Sequence, residues 1–254
     1  MEQVTLQMAA FLLGTGFIAA FIDSVVGGGG LISLPALLFT GLPPTLALGT
    51  NKLASTLCSV TSMASFIRSG KVNMQLVKYL FPVSFAGAAL GAYVVRQLPP
   101  DFLKPLVAIL LVAVAVYTLF KKEWGHESTY EGMTRRVIIL SGISAFLLGF
   151  YDGFFGPGTG SFLIFAFLFI GFDFVQAAGN SKVLNFASNV AALLMFGLMD
   201  SINYHYGLLM GAGMFVGALV GSQVAIRQGA AYVRPLFITV TTLLISKQVW
   251  DIFH

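Results

Sequence analysis

The sequence predicts an all-α polytopic membrane protein built from two homologous halves, and three observations predict it. Of 254 residues, 57% are hydrophobic and only 9% charged, against about 25% charged in an ordinary soluble domain. Apolar runs of membrane-spanning length follow one another along the chain. The second half then repeats landmarks of the first at separations of 129 and 130 residues.

A chain with a mean hydropathy of +0.88 cannot cover a soluble surface and requires lipid around its flanks. Its 28 glycines and 24 phenylalanines suit close helix packing and lipid-facing bulk. The net charge of +4 comes from Lys and Arg in the gaps between apolar runs, where the positive-inside rule accounts for them. Nucleic acid is therefore not an expected partner; the lipid bilayer is. A single cysteine, Cys58, allows no intrachain disulfide and suggests no thiolate metal site. No cofactor is expected. Glu2, with no basic residue beside it, precedes the first apolar run, which reads as a transmembrane helix rather than a cleaved leader.

The runs cover about residues 4–22, 31–42, 46–67, 74–97, 101–120, 136–153, 160–171, 176–199, 205–226 and 232–250. Most contain 18 or more residues, enough for a hydrocarbon core of about 30 Å at about 1.5 Å per residue. Leu31–Leu42 and Gly160–Gly171 contain 12 each, about 18 Å of helix. Each follows a glycine-rich break, so both are predicted to be half-helices. Trp124, Trp250, Tyr204 and Tyr206 fall at segment ends and read as interfacial anchors. His126, His205 and His254 share no metal-ligand spacing.

The short segments occupy corresponding places, which points to an internal repeat. Asp23, Gly27 and Gly29 map onto Asp152, Gly156 and Gly158 at a separation of 129. Gly41, Gly49, Lys52, Val60, Phe66, Gly87 and Gly91 map onto Gly171, Gly179, Lys182, Val190, Phe196, Gly217 and Gly221 at 130. The division is a first repeat, 1–120, a polar central loop, 121–136, and a second repeat, 137–254. Five segments per half invert the second copy. Inverted, the loop Lys and Arg divide nine to three between the two sides; parallel, they divide eight to four. The positive-inside bias favours inversion, with the central loop cytoplasmic and both termini outside.

Within this apolar chain, Gly49-Thr50-Asn51-Lys52 and Gly179-Asn180-Ser181-Lys182 each place a lysine at membrane depth. Such a lysine costs about 2.5–3.5 kcal/mol on insertion scales. Its repetition points to a paired site for something negatively charged. Lys52, Ser55 and Ser59 share a helix face at i, i+3 and i+7, and Lys182, Asn185 and Asn189 repeat the spacing. Ser and Asn there also serve as ordinary interhelical glue. The breaks, Gly27-Gly28-Gly29-Gly30 and Gly156-Pro157-Gly158-Thr159-Gly160, would present amides at a half-helix start to an anion. They equally fit simple hinges. No P-loop ending follows them. Asp23 and Asp152 precede the breaks, with three roles open: pairing with the lysines, accepting a proton, or marking a membrane boundary. Gly87-x3-Gly91 and Gly217-x3-Gly221 are packing motifs, which also permit a homodimer.

Asp23 through Gly30, the two lysine tetrads and Gly156-Pro157-Gly158 together resemble the TauE/SafE family of bacterial permeases, from about residue 10 to 250. The resemblance implies a secondary carrier in the bacterial inner membrane for sulfite, organosulfonates or related small anions, often an exporter. Pro157 and Thr159 depart from the first glycine cluster. On this reading Lys52 and Lys182 supply charge. Thr50, Asn51, Asn180, Ser181, Asn185 and the amides around Gly28, Gly29 and Gly158 supply hydrogen bonds. Two other classes stay open: an intramembrane enzyme acting on a lipid phosphate, and a passive anion channel or membrane subunit. No nucleophile stands beside a base to favour the enzyme.

Overall fold

In a computed structural model of the chain, residues 5–99 and 128–228 are described, and between them 101–103, 105–106, 109–110 and 112–113. The segments expected at 101–120, in large part, and 232–250, wholly, lie outside the described residues, as do Trp124, His126, Trp250 and His254.

Eight helices are bounded among the described residues, in order α1 (Leu6–Val26), α2 (Gly30–Phe39), α3 (Pro44–Arg68), α4 (Met74–Arg96), α5 (Arg135–Phe154), α6 (Thr159–Ile170), α7 (Phe174–Leu198) and α8 (Tyr204–Gln228). No strand occurs among the described residues. Polar caps open several helices: the Thr5, Asn73, Thr134 and Asp173 side chains each accept a backbone N–H from the first turn. The half-helices are α2 and α6, with 10 and 12 residues. Among the described residues, five helices are long and apolar enough to cross a membrane: α1, α4, α5, α7 and α8. At 25 residues, α3 falls short on polarity rather than length, because it carries Thr50, Asn51, Lys52, Ser59 and Ser62, all buried inside the bundle.

Glycine ridges fix how the helices run. Gly213, Gly217 and Gly221 of α8 lie on the carbonyls of Leu13, Phe17 and Phe21 of α1, in the same order, so these helices are parallel. Gly87 and Gly91 of α4 lie on Phe146 and Phe150 of α5, while Gly149 and Gly153 of α5 lie on Ser84 and Ala88 of α4; this pair is parallel too. In contrast, Gly49 of α3 meets Phe196 of α7 at one end and Gly179 of α7 meets Phe66 of α3 at the other, so α3 and α7 are antiparallel. The fourth helix of each repeat packs on the opposite repeat: α4 on α5 and α7, and α8 on α1 and α3. Two bundles result, α1–α3 with α8 and α5–α7 with α4. They meet along α3 and α7. The Gly87, Gly91, Gly217 and Gly221 ridges are thus used within the chain.

These contacts predict a graded response to added methyl groups. A Cβ at Gly91 or Gly217 would collide with a backbone carbonyl, whereas one at Gly14 or Gly142 meets nothing within 4 Å. Gly91→Ala and Gly217→Ala should each lose about 1–3 kcal/mol, as overpacked positions do. Gly14→Ala and Gly142→Ala should leave the melting temperature of the purified protein unchanged or slightly raised.

Candidate functional site

The two glycine breaks meet. Gly27 and Gly28 have φ of 75° and 93°, Gly156 and Gly158 of 99° and 85°, a region open to glycine without strain. A side chain at Gly27 would strike the backbone of Gly160 and Ser161, and a Cβ at Gly30 would stand 2.8 Å from Pro157 Cα. Ser161 Oγ closes the junction by donating to the Val26 carbonyl at 2.8 Å. A carboxylate already occupies part of the first break: Gly29 N–H donates to Asp23 Oδ1 at 3.1 Å. The chain's own anion thus sits where a half-helix start attracts one.

Both lysines reach across to the other half. Lys52 Nζ on α3 donates to Asp152 Oδ1 on α5 at 2.9 Å, and Asn189 Oδ1 lies 3.4 Å away. Lys182 Nζ on α7 donates to Asp23 Oδ2 on α1 at 2.7 Å and also to the Asp23 main-chain carbonyl. The lysines are 2% and 0% exposed, Asp152 is 3% and Asp23 15%. Buried ammonium groups persist only when paired and hydrogen-bonded. The pairs are crossed, since each half supplies the lysine to one and the aspartate to the other. Gly156 makes room for the first, because a Cβ there would stand 2.8 Å from Lys52 Nζ.

Each aspartate also takes a donor from its own half at equivalent positions, 58 and 188. Ser188 Oγ donates to Asp152 Oδ2. Cys58 Sγ lies 3.9 Å from Asp23 Oδ2, a weak contact.

Between the breaks and the pairs lies a small cavity. Lys52, Asp23, Asp152, Asn51, Asn185, Gly29 and Gly158 line it, with Ser55, Cys58 and Asn189. The space open to the centre of a water-sized sphere is about 30 Å³, room for roughly two waters at about 10–15 Å³ each. Lys182 stands behind Asp23 and is not on the cavity wall.

Three residues expected to hold a ligand point elsewhere. Thr50 Oγ1 accepts the Asn203 N–H at 2.9 Å, and Asn180 Oδ1 accepts the Asn73 N–H at 2.8 Å. Both clasp the turn that opens the fourth helix of the opposite repeat. Ser181 Oγ donates to the Ala178 carbonyl of its own helix. Gly28 belongs to the break, but it too is off the cavity wall. Asn51 stays on the wall and accepts from Ser33 Oγ at 2.6 Å. Residue types alone hide Ser188 and Cys58, which differ chemically and match only by position. Asn73 and Asn203 are identical residues 130 apart and carried a usable signal.

The sequence profile described as sulfite exporter TauE/SafE matches residues 12–247. A probable membrane transporter protein of Sinorhizobium, ORF9, is 40% identical, covering 100% of this chain and 97% of its own. One from Haemophilus influenzae is 36% identical over 98% and 97%. The probable membrane transporter protein YfcA of Escherichia coli is 35% identical over 96% and 92%. No solved structure matches the chain.

The pairs and clasps are separable by substitution. Asp152→Ala strands a buried ammonium and should cost about 3–5 kcal/mol, whereas Lys52→Met combined with Asp152→Leu should recover most of that loss. Thr50→Val leaves the Asn203 N–H unsatisfied and should cost about 1–3 kcal/mol. Thermal unfolding of the purified variants measures both.

Proposed function

The chain belongs to the sulfite exporter TauE/SafE family, and we propose that it is a secondary carrier moving a small sulfur oxyanion, sulfite or an organosulfonate, across the bacterial inner membrane by alternating access. One observation carries the reading: two buried lysines, each held by an aspartate from the other half, with Lys52 and both aspartates on the wall of a small cavity. An intramembrane ionisable residue marks a transport pathway by default. Crossed pairs let an arriving anion compete with a carboxylate for its ammonium and, in doing so, release a tie between the halves.

The remaining geometry supports the same reading. The antiparallel run of α3 and α7, with α4 and α8 each packed on the other half, supports reading the halves as inverted repeats around a shared site. The two exchanged bundles are the bodies that would rock. The cavity is too small for an oxyanion while both pairs are closed, which describes a resting state with the aspartates in the substrate's place. Energy then comes from an ion gradient or from the substrate's own.

A thermal-shift panel of sulfite, sulfate, thiosulfate, sulfoacetate and phosphate on purified protein tests the substrate class. Stabilisation by a sulfur oxyanion, absent in Lys52→Ala, is expected. In proteoliposomes, flux of labelled sulfite should fall at least tenfold in Lys52→Ala, corresponding to about 1.4 kcal/mol or more. Undiminished flux in that variant would sink the role given to Lys52.

A further inference from the structure

The two lysines and two aspartates of the site are already paired, so an anion that enters adds a buried charge without a partner, which is costly unless a cation accompanies it. We propose that each monovalent anion enters together with a proton, and that Asp152 takes the proton. The inference rests on the carrier reading above and adds the coupling ion and its acceptor.

The lysine on the cavity wall is Lys52, so the carboxylate an anion must displace is that of Asp152. Lys182 lies off the wall and is also bound to the Asp23 main-chain carbonyl, which fixes it to the end of α1. Ser188 can serve Asp152 in either charge state. Its Oγ reaches two acceptors, Asp152 Oδ2 and the Asn185 carbonyl at 3.1 Å, and a hydroxyl both donates and accepts as its hydrogen rotates. With Asp152 ionised, Ser188 donates to the carboxylate. With Asp152 protonated, the acid donates to Ser188 Oγ and the serine hydrogen turns to Asn185. Both charge states are satisfied without moving a heavy atom. Lys52 is then free to meet the anion beside Asn189.

Asp23 lacks this arrangement. The Gly29 N–H and the Lys182 ammonium donate to it, and neither can turn into an acceptor. The residue equivalent to Ser188 is Cys58, whose sulfur lies 3.9 Å away. Around Asp152 itself, α3 presents Lys52, α7 presents Ser188, and α1 presents Asp23 across the cavity with Lys182 behind it. Tyr151 turns its hydroxyl to the Pro157 carbonyl at 2.7 Å. Among the described residues, α4 and α6 bring no titratable side chain to the cavity wall. The proton comes from water on the side to which the site opens and leaves with the anion on the other.

Calorimetric titration of the full-length protein with methanesulfonate, in two buffers of different ionisation heat, reads the protons absorbed per anion. Wild type should absorb about one, and Asp152→Asn, already neutral, none. An inward acid gradient should also drive methanesulfonate accumulation in wild-type proteoliposomes and not in the variant. Wild-type binding without proton uptake overturns this inference and leaves the carrier reading intact. Absence of binding and flux for methanesulfonate, sulfite and sulfate alike overturns both. Proton uptake that persists in Asp152→Asn overturns the assignment to Asp152. Should that variant bind no anion, infrared difference spectra decide: the protonated-carboxyl band induced in wild type should shift in Ser188→Ala, and an unshifted band overturns the assignment.

Discussion

A bare charge in a medium of low dielectric constant is so costly that the finished fold must supply its neutraliser. Here the neutraliser of each lysine comes from the other half of the chain. That constraint explains why the breaks abut, since α1 and α5 must bring Asp23 and Asp152 to the same level as the lysines of α7 and α3. It explains the glycines at the junction, because only backbone without side chains can approach that closely. It also explains the size of the cavity, which is what remains once four charged groups have found their partners.

The repeat is accurate in architecture and inaccurate in chemistry. Helix pairs, breaks, clasps and ion pairs all have counterparts, yet the two half-sites differ at the atoms that matter. Lys52 faces the cavity with Asn189 beside it; Lys182 is sealed behind Asp23 and holds a main-chain carbonyl as well. Asp152 has a serine hydroxyl and Asp23 a distant thiol. The two frames match in layout, and a few positions make their surroundings unequal.

Much of this was legible in the sequence because it rests on periodicity and cost. The membrane class, the two half-helices and the eight described helix positions follow from apolar runs and glycine breaks, with ends shifted by up to four residues. α1 runs four residues past its expected end because Asp23 is paired inside the bundle rather than exposed at a boundary. The lysines and aspartates stood out for the same energetic reason. Partners were not legible. Nothing in a spacing says that Lys52 meets Asp152 instead of Asp23, or that Thr50 and Asn180 turn to backbone amides of Asn203 and Asn73. Those are contacts between elements about 100 to 160 residues apart, fixed by helix directions that only the packing reveals.

The exchange of fourth helices has a consequence for how the chain is made. Leu13 of α1 rests on Gly213 of α8, and at about 5–20 residues per second a ribosome needs roughly 10–40 s to cover that distance. For that interval α1 stands in lipid without the neighbour its surface is shaped for, and Asp23 stands without Lys182 until α7 has been inserted. Early helices must therefore be held by something other than their final contacts. Lipid headgroups, water at the interface or an insertion chaperone would have to shelter a carboxylate that the finished molecule pairs with Lys182.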